Sequence, residues 1–541
     1  MTFPGLLLPA TDAADKPGIL EKIDNGANAV FEPLNYWANE IIFWSPEWFP
    51  MPWVVIWMVA GAIIITCYLG FIQARGIPTA FDTIRGKFSR PDDPGEIPHF
   101  QALTSAVSGT VGLGNIAGVG AAVTLGGAGA TFWMILAGLF GMATKFAECT
   151  LGVKYRDVYE DGTVAGGPFK YLPVAFRKFP KPVSVGLTGL FAIAILFFGV
   201  GGGNMFQANQ TYAQVVNVTG GEDSFLANPG AGVIFGLVLA ALIGLVIIGG
   251  IQSIGAVTSR LVPFMGIMYV LACLTVILGN ASRIPSGLLD IVTGAFNPDA
   301  LTGGFIGVLI VGMQRAFFSN EAGLGSAPIA HSAVKTRRPV SEGFVALFEP
   351  FIDTVIICTI TALTITMADT AFYNETREAL AADENYEYGG GVTVTSDAME
   401  SVIGWFPYVL ALAVALFAIS TLITWSYYGN QAWAFFFGRS KTSTLVYRIV
   451  FLSLTVAGCV LSFTEVLGFA DAFLFVCGFV NILGVYMLLP VIKKEMKEFL
   501  EDRKSGKLAA YGRGEIATMD EVRPGSAGGE GHDAAEALGR R

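Results

Sequence analysis

The chain alternates long apolar runs with short polar segments between residues 53 and 491. A helix needs about 20 predominantly apolar residues to cross the hydrocarbon core of a bilayer, which is roughly 30 Å thick. Eleven runs approach or exceed that length, and they cover 53–75, 101–125, 130–152, 184–216, 231–250, 255–279, 303–330, 344–368, 404–435, 444–463 and 467–491. The pattern therefore predicts an all-α integral membrane protein with eleven transmembrane helices.

Composition supports the membrane interpretation. Of the 541 residues, 53% are hydrophobic and 14% are charged, and the mean hydropathy is +0.58, whereas soluble proteins carry about 25% charged residues. Residues 1–52 are acidic and aromatic and are predicted to lie outside the membrane. Residues 53–495 form the predicted transmembrane domain, and 496–541 form a polar cytoplasmic tail that is expected to be disordered from residue 498.

The distribution of lysine and arginine predicts the orientation, because cytoplasmic loops are enriched in both residues. If the first span runs inward, the loops that fall outside contain only Lys16, Lys22, Arg283 and Arg377. The remaining basic residues, including those from Lys493 onward, then fall on the inside, and the acidic 369–400 loop falls outside. We therefore expect a multi-pass protein of the cell (inner) membrane with an outer N-terminus and a cytoplasmic C-terminus.

Two of the eleven runs are interrupted near their centres by glycine and polar residues. The run 101–125 contains SGTVGLGN and the run 303–330 contains SNEAGLGSAP, and each begins one group of five spans after the first span. Unpaired peptide groups cost several kcal/mol in hydrocarbon, so a broken helix is tolerated where its backbone lines a cavity or holds a ligand. Paired interruptions of this kind indicate the binding site of an inverted-repeat transporter. Freed N–H groups favour a carboxylate, and freed carbonyls favour an ammonium group or a cation.

Polar residues in three other places add to this candidate site. Ser420 and Thr421 either hydrogen-bond back to their own helix or supply neutral oxygen ligands to a small alkali cation, and the second interpretation is favoured. Asn204 and Gln207 lie within a buried span and need partners, which either a bound solute or a neighbouring helix would supply.

Several ionisable residues also fall within the spans. Lys145 and Glu148 are three residues apart and are expected to form a structural ion pair. The four residues Arg315, Glu321, Glu349 and Asp353 either form a buried network that ties the second broken segment to its neighbour or contact the substrate directly.

The three histidines do not favour a proton relay. His99, His331 and His532 are placed near the membrane interfaces or in the tail, so a histidine relay at the membrane centre is not expected.

The sequence resembles the alanine or glycine:cation symporter family over nearly all of 53–495. The motifs that carry the resemblance are HFQALTSAVSGTVGLGNIAGV, FWMILAGLFGMATKFAECTLGVKYR, GGP at Gly166 to Pro168, AFFSNEAGLGSAPIAHSAVKT and WSYYG at Trp425 to Gly429. The resemblance implies a LeuT-type inverted repeat of five plus five helices with one extra helix. It also implies secondary active transport of small neutral amino acids, chiefly alanine and glycine, coupled to Na+ or alternatively to H+.

The resemblance also implies site residues. The substrate carboxylate would meet the backbone around Thr110, Gly112, Leu113 and Gly114, and the amine would face carbonyls near Phe318 and Ser319. Gln207 and Trp425 fall at a polar position and a pocket-wall position of the family. The cation would be bound by carbonyls of Ser108 and Val111 and by the hydroxyls of Ser420 and Thr421.

Two other classes of membrane protein fit the sequence less well. Thr110 to Gly114 reads TVGLG, close to the TVGYG filter of potassium channels, but a four-fold filter needs four copies and the chain has one. An intramembrane hydrolase is disfavoured because the sequence lacks HExxH, GxGD and a convincing Ser/His pair. We therefore expect a transporter and no enzyme activity.

Overall fold

The computed structural model describes residues 36, 40–46, 50–228, 230–297, 304–382, 386 and 390–522. The main helices are α1 Trp53–Tyr68, α2 Ile72–Ile84, α3 His99–Thr110, α4 Ala117–Gly126, α5 Gly129–Lys154, α6 Pro168–Ala175, α7 Lys181–Val218, α8 Ala231–Ile247, α9 Gly250–Gly279, α10 Ile284–Gly294, α11 Gly304–Asn320, α12 Ala327–His331, α13 Pro339–Ala368, α14 Ala371–Ala382, α15 Gly391–Glu400, α16 Phe406–Phe437, α17 Lys441–Gly458, α18 Phe463–Lys504, α19 Lys507–Gly512 and α20 Met519–Val522. In the part of the chain that the structure describes, the only sheet is an antiparallel pair, β1 Asp157–Val158 and β2 Val164–Ala165.

Short irregular turns complete the secondary structure. Single 3-10 turns lie at Leu113–Asn115, Phe176–Lys178, Gly221–Asp223, Phe225–Ala227 and Ala281–Arg283. Two of the long helices contain a π-helical stretch, Gly201–Met205 within α7 and Phe351–Cys358 within α13. Stretches of this kind often occur at functional sites.

Several helices are long and apolar enough to cross a membrane. Among the described residues, six qualify singly, namely α5, α7, α9, α13, α16 and α18, and the number rises to eight if each of two bent pairs is one span. The helix α8 is apolar but has only 17 residues. The prediction of several apolar spans in a helical protein is confirmed, while the count of eleven remains a prediction.

The first predicted span, 53–75, ends earlier than expected. Helix α1 stops at Tyr68, Gly70 and Phe71 adopt positive φ angles of 67° and 56°, and α2 leaves at an angle of 72° to α1. A left-handed residue cannot continue a right-handed helix, so Gly70 and Phe71 end the span. Glycine marked this point in the sequence, but the apolar run continued past it.

The two interrupted runs contain breaks in the structure. Helices α3 and α4 are separated by residues 111–116 and bent by 56°, and α11 and α12 are separated by residues 321–326. The first broken segment (99–126) packs against α9 and α16, and the second (304–331) packs against α5. Helices α7 and α18 complete the core, so both breaks are buried inside a bundle of long helices.

The C-terminal tail was predicted to be disordered from residue 498, and this prediction is wrong for residues 498–522, which the structure describes. Helix α18 continues to Lys504, and α19 and α20 follow it. The Arg90 guanidinium donates to the carbonyls of Tyr511 at 2.7 Å and Ala517 at 3.0 Å, and the Tyr511 hydroxyl donates to Asp93 at 2.5 Å. Burial and the Asp93 carboxylate raise the pKa of Tyr511 to about 12, so the phenol keeps its proton at neutral pH. Residues 523–541 of the predicted tail lie outside the described residues.

Candidate functional site

The first break is held by side-chain amides. Gly112 is extended, with φ −134° and ψ −152°, and its N–H donates to Asn115 Oδ1 at 3.0 Å. The next N–H, that of Leu113, donates to Gln207 Oε1 at 3.0 Å. The Gly112 N–H also lies 2.9 Å from the Thr110 carbonyl, and buried donors of this kind need partners. Neutral amide oxygens therefore accept from two of the peptide groups, those of Gly112 and Leu113, in the stretch around Thr110, Gly112, Leu113 and Gly114 that was predicted to bind a substrate carboxylate.

Glycine is required at the centre of this break because other groups approach its backbone closely. A Cβ on Gly112 would lie 2.5 Å from Thr421 Oγ1 and 3.1 Å from Gln207 Oε1. A Cβ on Gly114 would lie 3.3 Å from the Phe318 ring and 3.4 Å from the Ser319 backbone. The first break therefore meets the last turn of α11, directly before the second break, at Gly114 and Phe318, and α16 reaches the first break through Thr421.

A cluster of neutral oxygens lies beside the first break, between α3 and α16. The Thr421 hydroxyl donates to the Ser108 carbonyl at 3.0 Å, and the Ser108 hydroxyl donates to the Ser420 carbonyl at 2.8 Å. Thr424, which the sequence analysis missed, adds its hydroxyl at 3.1 Å from Ser108 Oγ. All of these side chains are buried. The cluster offers carbonyl and hydroxyl oxygens without a carboxylate, a donor set that suits a monovalent cation.

Val111 and Ser420, the other two predicted members of the cation site, take different positions relative to the oxygen cluster. Val111 directly follows α3, and its ψ of 87° turns its carbonyl away from the helical direction. The Ser420 hydroxyl instead donates to Phe417 in its own helix at 2.8 Å and approaches the Met265 sulfur at 3.6 Å. Ser420 therefore reaches the cluster through its carbonyl, and its hydroxyl makes the back-bond that the sequence analysis held as the alternative.

Trp425 connects the two breaks. Its Nε1 lies 3.3 Å from the Gly109 carbonyl in the first broken segment and 3.2 Å from Glu321 Oε1 in the second. The indole ring packs edge-on to Phe198, with centroids 4.9 Å apart, and lies against the backbone of Gly203. Phe318 packs against Phe206 with centroids 5.0 Å apart. The two aromatic residues predicted to line the pocket thus lie on the same side of the breaks, with Phe198 contacting both rings.

The second break is held by a carboxylate and a neutral side-chain amide. Glu321, Gly323 and Gly325 have φ angles of 55°, 94° and 81°, so the chain turns tightly here. Glu148 on α5 accepts from the N–H of Gly325 at 2.9 Å and of Gly323 at 3.3 Å. Asn481 on α18 donates to Glu148 and, at 2.8 Å, to the Gly323 carbonyl. A buried carboxylate and a buried amide therefore take up the peptide groups that the helix leaves unpaired.

Asp353, in the π-helical stretch of α13, contacts both breaks. Its carboxylate accepts from Asn115 Nδ2 at 2.7 Å and from the Ser319 hydroxyl at 2.7 Å. The sequence analysis placed Asp353 among four buried ionisable residues, but not beside Asn115. The Ser319 hydroxyl is thus turned toward α13.

The expected ion pair between Lys145 and Glu148 is not what the structure shows. Lys145 Nζ pairs with Glu349 Oε2 on α13 at 3.2 Å, while Glu148 turns toward the second break. Spacing along one helix brings two side chains to one face but does not make them partners when neighbouring helices offer better ones.

The four residues that were predicted either to form one buried network or to contact the substrate have separate partners in the structure. Arg315 pairs with Asp471, Glu321 bonds Trp425 and Ser326, Glu349 bonds Lys145 and His331, and Asp353 contacts the breaks.

His99 and His331 lie inside the protein and belong to a chain of buried charges. The ring nitrogens of His331 lie 2.5 Å from Glu342 Oε1 and 2.5 Å from Glu349 Oε1, and His99 Nδ1 contacts the other oxygen of Glu342. This series of contacting charged side chains therefore extends from His99 at the start of α3 to Lys145 on α5. The sequence analysis did not foresee this pairing, and His532 lies outside the described residues.

Three side chains at this series of buried charges are spaced like the ligands of a metal ion, but their hydrogen bonds and ion pairs do not fit metal binding. Ligand atoms of Cys149, His331 and Glu349 lie within 4.8 Å of one another. Both His331 nitrogens already contact carboxylates, and the Lys145 ammonium lies next to Glu349. A metal needs a free lone pair on the imidazole, so this cluster acts as an ion-pair network.

Arg156 joins the two broken segments just beyond α5. Its guanidinium donates to the carbonyls of Pro94 at 2.7 Å, before the first segment, and of Ser332 at 2.6 Å, after the second, and to two further carbonyls of the 332–336 stretch. Burial lowers the pKa of Arg156 to about 10, so the side chain stays charged at neutral pH.

The geometry brings most of the predicted residues together. Gly112, Leu113 and Gly114 lie in the first break and Thr110 directly precedes it at the end of α3, while Gln207 bonds the break and Phe318, Ser319 and Trp425 flank it. Asn115, Glu148, Asp353, Thr424 and Asn481 contribute without having been assigned. Asn115 was visible as the polar end of TVGLGN, whereas nothing local in the sequence marked Asn481.

Comparison with known proteins gives a consistent family match. A model of the sodium:alanine symporter family matches residues 35–512. The sodium/alanine symporter AgcS of Methanococcus maripaludis is 36% identical over 459 residues, which cover 84% of this chain and 95% of that protein. The probable sodium/glutamine symporter GlnT of Bacillus subtilis is 32% identical, with 87% of this chain and 91% of that protein covered.

A solved structure was also compared. The crystal structure of MhsT in complex with L-phenylalanine is 16% identical in sequence, with a TM-score of 0.47, and the match covers 82% of this chain and 98% of that chain.

Proposed function

The chain belongs to the sodium:alanine symporter family, which is a family of transporters, and we propose that it imports small neutral amino acids together with Na+. Family membership and the apolar helices make it a multi-pass membrane protein. Alanine and glycine are the proposed substrates, and alternating access between the two sides of the inner membrane is the proposed mechanism. The LeuT-type inverted repeat, with its N-terminus outside, is part of the same proposal.

The observation that carries the proposal is the neutral oxygen cluster at the first break. Ser108 and Thr421 come from different helices and meet at 3.0 Å directly before the point where α3 ends. Na+ would replace the hydrogen bonds among Ser108, Ser420, Thr421 and Thr424 with contacts to the same oxygens. Each Na+ that crosses with a zwitterionic substrate carries one positive charge, so the membrane potential favours inward movement by about 2.3 kcal/mol per 100 mV.

The substrate carboxylate would bind at the N–H groups of Gly112 and Leu113. In the structure Gln207 Oε1 accepts from Leu113, so the bound carboxylate takes over this hydrogen bond and the Gln207 side chain turns away. An anionic acceptor makes stronger hydrogen bonds than a neutral amide does, which favours this exchange. Gln207 would then keep the buried N–H satisfied whenever the substrate is absent.

Phe318 and Trp425 would restrict the size of the substrate side chain. Both rings are buried and pack against other aromatic residues, so they yield little space. An extra methylene in a well-packed site costs about 1–3 kcal/mol. We therefore expect alanine and glycine to be preferred over leucine, phenylalanine and also glutamine, which the name of one relative includes.

Proton coupling is a second candidate, and one observation favours it. The buried chain from His99 through Glu342, His331 and Glu349 to Lys145 places five titratable side chains in sequence. Such a chain can carry a proton between the start of the first broken segment and α5. In this alternative the driving ion is H+, and the oxygen cluster has only a structural role.

Uptake into proteoliposomes distinguishes these alternatives. Purified protein is reconstituted, and uptake of labelled alanine and glycine is measured with an inward Na+ gradient at equal pH, and then with an inward proton gradient without Na+. Saturable uptake that requires Na+ is expected, with leucine and glutamine competing weakly. Uptake that follows the proton gradient and ignores Na+ overturns the proposal in favour of H+ coupling, and equal uptake of leucine and alanine overturns the proposed pocket.

A further inference from the structure

A cavity of about 200 Å³ lies where α2, α13 and the end of α18 meet. Three of its lining residues are basic, Arg75, Arg503 and Lys504, and three are apolar, Ile72, Phe344 and Leu500. This location is far along the chain from both breaks, and the proposed transport does not use it. A cavity with basic groups on one part of its wall and apolar groups on the other fits a ligand that is both anionic and apolar.

Backbone carbonyls at the end of α1 fix the position of the Arg75 guanidinium. Arg75 donates to the carbonyl of Gly70 at 2.5 Å and lies 3.4 Å from the carbonyl of Leu69, both of which follow the last turn of α1. The sharp turn between α1 and α2 therefore fixes the guanidinium at the edge of the cavity. Gly76 lets α2 pack closely on Phe344 of α13, because a Cβ there would lie 3.0 Å from the Phe344 ring.

The positive charge of the cavity is only partly neutralised. Arg503 lies 3.6 Å from Asp82, but the same Asp82 oxygen also accepts from Lys87 at 3.2 Å. One carboxylate is thus shared between two cations, while Arg75 interacts with neutral carbonyls. An added anion would gain favourable interactions with the three basic side chains at once.

The surroundings of the cavity are those of a membrane interface. The turn between α1 and α2 exposes aromatic side chains, with Tyr68 36% exposed and Phe71 54% exposed, and Phe81 on α2 is 50% exposed. Lys493 lies 4.2 Å from the centre of the Tyr68 ring. Aromatic rings next to lysine and arginine at the end of an apolar helix are typical of the level of lipid headgroups.

We propose that this cavity binds the phosphate headgroup of an anionic phospholipid. The phosphate lies among Arg75, Arg503 and Lys504, and the glycerol and first methylene groups lie against Ile72, Phe344 and Leu500. Basic pockets between membrane helices bind lipid headgroups through this combination of charge and apolar contact. A bound lipid would join α2, α13 and α18 at a point where the protein alone leaves a gap.

Native mass spectrometry of the full-length protein in detergent tests the proposal, with phosphatidylglycerol and phosphatidylcholine as probes. The test variant is Arg503→Gln with Lys504→Gln, which leaves the structural contacts of Arg75 intact. Its matched control is Lys494→Gln with Lys497→Gln, which removes two exposed charges from the same helix outside the cavity. We expect phosphatidylglycerol to remain bound to the wild-type protein, and the test variant to bind it roughly thirtyfold more weakly.

Four outcomes decide the question. Weaker binding in the test variant alone supports the proposal. Equal weakening in both variants shows diffuse attraction to the basic end of the protein and overturns it, and so does equal retention of phosphatidylcholine. The remaining alternative is that the cavity binds free inorganic phosphate, and thermal-shift measurements with inorganic phosphate test it. If phosphate stabilises the wild-type protein as strongly as phosphatidylglycerol does, the cavity is a site for a free anion and the lipid proposal is overturned.

Discussion

The two breaks have similar sequences but are held by different chemistry. At the first break, TVGLGN, the free N–H groups bond to the neutral amides of Asn115 and Gln207. At the second break, SNEAGLGS, the N–H groups of Gly323 and Gly325 bond to the Glu148 carboxylate, which Asn481 also contacts. A neutral amide oxygen can be exchanged for a ligand at low cost, whereas a buried carboxylate that leaves its donors is expensive.

This difference indicates separate roles for the two breaks. In the transport that we propose, the first break exchanges its partners when substrate binds and leaves, and the oxygen cluster lies next to it. The second is fixed to α5 and α18 and gives the site a constant wall through Phe318 and Ser319. The following substitutions test this assignment, beginning with the largest expected effect.

Glu148→Ala should have the largest effect, on folding. It leaves the N–H groups of Gly323 and Gly325 and the Asn481 amide without their common acceptor, and each unsatisfied buried donor costs about 1–3 kcal/mol. We expect the melting temperature in detergent to fall strongly and little folded protein to be recovered. Glu148→Gln, which keeps one acceptor oxygen, is the control and should be intermediate. A Glu148→Ala protein as stable as wild type would mean that the second break is not fixed in this way.

Gly112→Val should abolish uptake at a moderate cost in stability. The new side chain would overlap with Thr421 and Gln207, and overpacking of this kind costs about 1–3 kcal/mol. Gly118→Ala is the matched control in the same broken segment, because a Cβ there meets nothing within 4 Å. Labelled alanine uptake, corrected for the amount of folded protein, checks this prediction. Normal uptake by the Gly112→Val protein would place the substrate elsewhere.

Trp425→Phe tests the connection between the breaks. The substitution keeps an aromatic ring but removes the N–H that contacts Gly109 and Glu321, and such a hydrogen bond contributes about 1.5–3 kcal/mol because one acceptor is a carboxylate. We expect leucine to compete better with alanine than it does in the wild type, because the smaller ring widens the pocket. Unchanged competition together with an unchanged melting temperature would remove Trp425 from the site.

Thr421→Val should have the smallest effect on stability and a specific effect on the cation. Valine has nearly the same shape but cannot donate to the Ser108 carbonyl, a loss of about 0.5–1.5 kcal/mol. The Na+ concentration for half-maximal uptake should rise several-fold while uptake at saturating Na+ is largely kept. Thr455→Val is the control, because Thr455 is equally buried and bonds only to Phe451 of its own helix at 3.1 Å. An equal shift in both variants would contradict a role for Thr421 in cation binding.

The sequence located the breaks but not the groups that hold them. Glycine and polar residues inside an apolar run are a local signal, so 111–116 and 321–326 could be found by inspection. The partners are distant, since Gly325 and Glu148 are 177 residues apart and Asn481 and Glu148 are 333 residues apart. Gln207 was predicted at the site and does accept from Leu113, but the other contacts depend on how the helices pack, and the spacing of Lys145 and Glu148 along one helix suggested a pair that does not form.

The surroundings of the histidines also could not be predicted from the local sequence. His99 and His331 lie near the ends of apolar runs, which placed them near the membrane interfaces but gave no sign that both are buried against glutamates from α13. Position along a span predicts depth in the membrane, but it does not predict whether protein or water surrounds the side chain. The π-helical stretch that brings Asp353 to Asn115 likewise had no recognisable sequence pattern.

The contacts of Arg90 with the C-terminal helices have a consequence for the order of events during synthesis. Arg90 bonds to the Tyr511 carbonyl across 421 residues, and Asp93, only 3% exposed, bonds to the Tyr511 hydroxyl across 418. A ribosome adds about 5–20 residues per second, so the loop before the first broken segment exists for roughly 20–80 seconds before its partners are made. During that interval Arg90 and Asp93 are open to water or to other proteins of the cell. A chain that stops before residue 507 never makes these contacts, so Arg90 and Asp93 keep this surface exposed for as long as the shortened protein exists.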